Sequence, residues 1–79
     1  MTLEEFKTTV AAYDFDPDRA FETVFDNDPI YQVQRETSYL VYNLRRKKWH
    51  FRIFLDSAGT TPQEAMRKSL STHEDLARF

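Results

Sequence analysis

Between Trp49 and Leu55 large side chains alternate with a period of two: Trp49, Phe51, Ile53 and Leu55 fall on one face of an extended chain, and His50, Arg52 and Phe54 on the other. A helix would scatter both sets around its axis, so this segment commits the chain to a half-buried strand. Two more runs of β-branched and aromatic residues precede it, residues 30–35 and 39–44, each followed by a short polar break. The three runs predict an antiparallel meander. With Arg45 to Lys48 as a four-residue loop, Leu44 lies opposite Trp49, Tyr42 opposite Phe51 and Leu40 opposite Ile53. A two-residue break at Glu36-Thr37 sets Val33 opposite Leu40 and Tyr31 opposite Tyr42. Large apolar groups then gather on one face of the sheet.

Helix signals flank the meander. Thr2 followed by Glu5 forms a capping box, and Leu3, Phe6, Val10 and Tyr13 recur at helical spacing, which predicts a helix over about residues 3–12. Asp16, Pro17 and Asp18 have the order of a cap, a first-turn proline and an N-terminal acid. Phe21, Val24 and Phe25 then make a stripe on a second helix of about residues 17–26, halted by Asp26-Asn27-Asp28-Pro29. After the last strand, Asp56-Ser57-Ala58-Gly59 reads as a turn. Thr61-Pro62-Gln63-Glu64 repeats the cap and proline logic, so a C-terminal helix starts at Pro62, with Ala65, Met66 and Leu70 on its apolar side. The expected architecture is α+β: two N-terminal helices, a three-stranded antiparallel β-meander and a C-terminal helix, ααβββα, in one domain over residues 1–79. Three strands span roughly 14 Å and each helix is about 10 Å across, so three helices crowd one sheet face unless one crosses to the other.

Stability has to come from packing. Leu, Ile, Val and Phe make up 19 of 79 residues, above the floor of about 20% below which chains tend to stay unfolded. There is no cysteine to form a disulfide or a thiolate zinc site, while twelve aromatic residues supply large buried area. No run is long and apolar enough for a membrane span, and Glu4 and Glu5 stand where a secretion signal would be apolar, so a cytoplasmic protein is expected, with no membrane partner.

The formal charge of −2 conceals a segregation: residues 1–29 carry a net −6 and residues 30–55 a net +5. Three groups of candidate binding residues follow. Arg45, Arg46, Lys47 and Lys48 place four cations at a hairpin tip, suited to phosphates or to an acidic protein surface. Tyr39, His50, Arg52 and Phe54 mark the outer sheet face, where Tyr39 is expected opposite Phe54; rings for stacking beside a guanidinium suit single-stranded nucleic acid, unless a helix or a second subunit covers them. Asp14, Asp18, Glu22 and Asp26 give the N-terminal helices an acidic surface that fits a basic groove. Asp14, Asp16 and Asp18 open like a calcium loop, but Arg19 and Phe25 occupy the positions that need glycine and a bidentate glutamate, so no metal is expected.

Catalytic chemistry is poorly supplied. The chain has no glycine-rich phosphate loop, and its two histidines, His50 and His73, lie too far apart in sequence for a short metal motif. The expectation is a non-catalytic binding module, a small regulator or inhibitor that contacts another protein or itself through an acidic helical surface and a basic β-hairpin. It needs no cofactor and no small-molecule substrate. The alternative is a nucleic-acid-binding domain that uses the hairpin tip and the outer aromatic face.

Overall fold

The computed structural model describes residues 1–53 and 56–77, with side chains described as far as Ser69. Helix α1 (Leu3–Ala11) opens on the expected box: the Thr2 hydroxyl accepts from the Glu5 N–H at 3.2 Å, and the Glu5 carboxylate accepts from the Thr2 N–H at 3.1 Å. Strands β1 (Phe21–Phe25), β2 (Asp28–Arg35), β3 (Ser38–Asn43), β4 (Lys48–Arg52) and β5 (Asp56–Gly59) follow, and then helix α2 (Pro62–Ala77). Each strand pairs antiparallel with the next, giving one five-stranded sheet in the order β1-β2-β3-β4-β5. Among the described residues no helix is long and apolar enough to cross a membrane.

The expected ααβββα order is therefore corrected at two places. The segment read as a second helix is a single 3₁₀ turn, Pro17–Arg19, followed by β1. Asp16 does cap that turn, accepting from the Asp18 N–H at 3.0 Å, but the helical hydrogen bonds end when the Ala20 N–H reaches the Pro17 carbonyl. Phe21, Thr23, Val24 and Phe25 are aromatic or β-branched and favour extended backbone. Asp26 and Asn27 both adopt positive φ, 53° and 67°, the signature of a two-residue type I′ hairpin turn that reverses the chain into β2. The second correction is β5, which occupies the stretch read as a turn and pairs with β4 from Trp49↔Gly59 to Arg52↔Asp56.

Register in the meander is partly as expected. Val33 faces Leu40 and Tyr31 faces Tyr42 across the Glu36-Thr37 turn. The next hairpin is displaced by two residues: Tyr42 pairs with Trp49, Leu40 with Phe51 and Tyr39 with Arg52, because Asn43 and Lys48 close the loop. A shift of two preserves side-chain parity, so the faces stay as read although the partners change. Tyr39 thus lies opposite Arg52, and Phe54, its expected partner, falls outside the described residues, as does Leu55. Ile53, expected in the core, is exposed beyond the end of β4.

Five strands also remove the crowding that three imposed. A sheet roughly 24 Å wide accommodates two helices of about 10 Å on one face. Phe6 of α1 is fully buried, stacking on Trp49 at 5.4 Å between ring centroids and tilting against Tyr31 at 5.5 Å. Val33, Leu40 and Phe51 continue that layer, and Ala65 of α2 closes it above β4 and β5. Gly59 makes the closure possible: a Cβ there would sit 2.8 Å from the Ala65 nitrogen and 2.9 Å from the Glu64 Cβ. Arg35 ties the α1 exit to the sheet, donating from Nη1 to the Tyr13 and Asp14 carbonyls at 3.2 Å each while its guanidinium lies 4.6 Å over the Phe15 ring.

Candidate functional site

The face of the sheet away from the helices is hollowed. Ile30 and Val41, 3% and 1% exposed, form the floor of a depression of about 320 Å³. Phe25, Asp28 and Arg46 stand on one side of it and His50, Arg52 and Asp56 on the other. Twist brings these corners together diagonally, so that the Arg52 guanidinium lies 4.7 Å over the Phe25 ring although three strand pairings separate them. The charged groups of the hollow are already engaged with one another. Arg52 Nε reaches Asp56 at 3.3 Å, and His50 Nδ1 lies 3.1 Å from both Asp56 carboxylate oxygens. Among the described residues no hydroxyl hydrogen-bonds to the His50 ring.

Asp28 anchors the other wall and is 5% exposed. Its carboxylate accepts from Asn43 Nδ2 at 3.0 Å and Arg45 Nη1 at 3.1 Å, with Arg46 Nε 3.3 Å away. The Asn43 amide first, aided by the two arginines, holds the Asp28 carboxyl below its ordinary range against the opposing effect of burial. Asn43 also accepts, through Oδ1, the backbone N–H groups of Arg45 and Arg46 at 3.0 and 2.9 Å. The tip of the β3–β4 hairpin is thus folded back onto an acid from the N-terminal half.

This geometry separates the members of each candidate group. Of the four cations at the hairpin tip, Arg45 and Arg46 neutralise Asp28, whereas Lys47 and Lys48 are exposed and form no ion pair among the described residues. On the outer face Tyr39 is half-buried, and His50 and Arg52 are held by Asp56. Asp14, Asp18, Glu22 and Asp26 are all exposed, but the acidic helical surface expected of them does not exist. Asp14 lies in the turn after α1, Asp18 in the 3₁₀ turn, Glu22 on β1 and Asp26 in the hairpin turn. Among the described residues no group of three or more His, Asp or Glu side chains is placed to hold a metal ion. A second depression, lined by Glu4, Glu5, Thr8 and Thr9, lies along α1, where both threonine hydroxyls are bonded to the Glu4 and Glu5 carbonyls.

The most distinctive surface is one that sequence reasoning missed. Among the described residues strand β1 pairs only with β2, and no strand lies along its outer edge. It carries Phe21, Val24 and Phe25 at 47%, 66% and 51% exposure. Because the two-residue turn makes Phe25 and Asp28 a hydrogen-bonded pair, antiparallel alternation directs the peptide groups of Phe21, Thr23 and Phe25 toward β2 and those of Glu22 and Val24 outward. Pro29 agrees with that phase: it faces Val24 at a non-bonded position, and its carbonyl accepts instead from the Leu44 N–H on the β3 side at 3.0 Å. The edge is lightly protected: β1 contains no lysine and no proline, and Glu22 is its one charged residue. The fold and this surface together define a small α+β chain with a bare aromatic edge strand. No protein-family model, curated protein or solved structure matches it.

Proposed function

We propose that the chain is a non-catalytic protein-binding module, a small regulator or inhibitor that accepts an extended strand along the open edge of β1. The carrying observation is that edge: the peptide groups of Glu22 and Val24 face solvent, flanked by three exposed large apolar side chains. Strand addition offers a binding partner main-chain hydrogen bonds for affinity and alternating side-chain contacts for selectivity. Phe21 and Phe25 lie on the hollowed face and Val24 on the face that bears the helices, so a docked strand meets apolar surface on both. Glu22 and Asp26 beside them disfavour a strand that sets acidic residues opposite them. The nucleic-acid reading would have to recruit Arg45, Arg46 and Arg52 away from Asp28 and Asp56, which makes it the weaker of the two.

Selection of displayed extended peptides on the wild-type chain, with Val24→Pro as the counter-target, tests the proposal. Proline removes the outward N–H at Val24 and leaves the β2 pairing intact. Peptides retained by the wild type and lost by the variant are expected. An absence of such peptides, with both proteins folded by Trp49 fluorescence, would overturn it.

A further inference from the structure

We infer that the strand received by β1 is β1 of a second copy of this chain, paired antiparallel about a two-fold axis through Thr23. The inference rests on the strand-docking reading above and adds the identity of the binding partner and the register. In the sequence Phe21-Glu22-Thr23-Val24-Phe25 an aromatic residue stands at the same distance on either side of Thr23. With the axis at Thr23, Glu22 of each copy faces Val24 of the other. These are the residues whose peptide groups point outward, so each such pair can exchange two hydrogen bonds. Phe21 then faces Phe25 of the second copy at a non-bonded position, where side chains approach most closely, and two such aromatic pairs form on the hollowed face.

The competing registers are disfavoured by charge. Only residues with outward peptide groups can bond across the edge, so the nearest alternatives move the axis to Glu22 or to Val24. An axis at Glu22 sets that carboxylate against its own copy, and an axis at Val24 sets Glu22 against Asp26 twice. An axis at Thr23 opposes no two acids within the strand and places Asp26 of each copy beside Ala20 and Arg19 of the other. Arg19 is exposed and its Nε lies 3.9 Å from Asp16, a loose pairing that leaves it available. The product is one continuous ten-stranded sheet with four helices on a single side. Two five-residue strands offer less than the roughly 1,200 Å² of a standard interface, which places the dimer among weak, reversible associations.

Absence of native cysteine makes the register directly measurable. In a non-bonded antiparallel pair the Cα atoms are about 4.5 Å apart, within disulfide reach. Thr23→Cys, Glu22→Cys and Val24→Cys chains would be oxidised in parallel, and sedimentation would follow the wild type and Val24→Pro from micromolar to millimolar concentration. A reversible wild-type dimer, a monomeric Val24→Pro chain, and a covalent dimer forming roughly tenfold faster at Thr23→Cys than at the other two positions are expected. A faster bridge at Glu22→Cys or Val24→Cys would overturn the register. A wild type that stays monomeric at millimolar concentration while still retaining peptides sensitive to Val24→Pro would overturn the second copy alone; one that neither dimerises nor retains peptides would overturn strand docking as well.

Discussion

Asn43 sits at the end of β3 with both ends of its amide engaged, donating to Asp28 and accepting from the backbone of Arg45 and Arg46. It is buried, so truncation leaves two amides and a carboxylate short of partners in a place water reaches poorly. Asn43→Ala is expected to destabilise the fold by about 1–3 kcal/mol, read from urea unfolding followed by Trp49 fluorescence. Asn43→Asp should still accept the two backbone N–H groups but bring a second carboxylate against Asp28, raising the pKa of Asp28, lowering stability at neutral pH and flattening its further loss in acid, where protonation relieves the repulsion. Glu64 gives a pH dependence of its own. Its carboxylate accepts from the Thr60 hydroxyl at 2.8 Å and the Thr60 N–H at 3.2 Å, with Lys68 at 3.2 Å, and these hold its pKa at about 2 against an ordinary value of 4.5. The unfolded chain binds the proton first as pH falls, so the stabilisation is complete above about pH 4.5 and is lost as pH drops toward about 2. Glu64→Gln should flatten the stability profile across that window and leave the slope above it unchanged, a difference that thermal melts at stepped pH will register.

Strands β1 and β5 show where the sequence was legible and where it was not. The capped helix at Thr2, the helix start at Pro62 and the apolar faces of β2, β3 and β4 could all be read, because each rests on a local pattern several residues long. Phe21, Val24 and Phe25 fit both a helical stripe and a short strand, and an Asp-Pro start tipped the reading toward helix. What decides between them is that α1 and α2 already fill the helix-bearing face, a fact of the whole sheet. The Asp26-Asn27 turn was the available signal, since both residue types tolerate positive φ. The Asp28 cluster was hidden for a related reason: in sequence it is one acid in an acidic run, and its partners Asn43, Arg45 and Arg46 arrive only when β2 and β3 pair. Two substitutions probe these elements. Asn27→Gly relieves a left-handed residue in the turn and should stabilise the chain by up to about 1 kcal/mol. Gly59→Ala pushes a Cβ into the backbone of α2 at Ala65 and should cost about 1–3 kcal/mol by the same urea titration.

At the scale of the whole molecule, the division between an acidic first third and a basic middle suggests an acid-to-base contact between copies, which would weaken as salt rises. The fold redirects that expectation. Asp28, in the acidic segment, already binds Arg45 and Arg46 of the basic one, so part of the complementarity is consumed within a single chain. Pairing through β1 has the opposite electrostatics, for it brings two segments of net −6 side by side and is held by backbone hydrogen bonds and phenyl contacts. Salt screens the repulsion and barely touches the attraction. Sedimentation across a salt series should therefore find dimer affinity unchanged or increased toward physiological ionic strength, and Lys47→Glu with Lys48→Glu should leave it unaltered. Reversing Arg45 and Arg46 as well would be uninformative about docking, because it strips the buried Asp28 carboxylate of its counter-charges and disturbs the hairpin itself. A severalfold loss of affinity with salt, matched by a loss in the double lysine variant, would instead place the contact at the hairpin tip and return the acidic turns to the role of its complement.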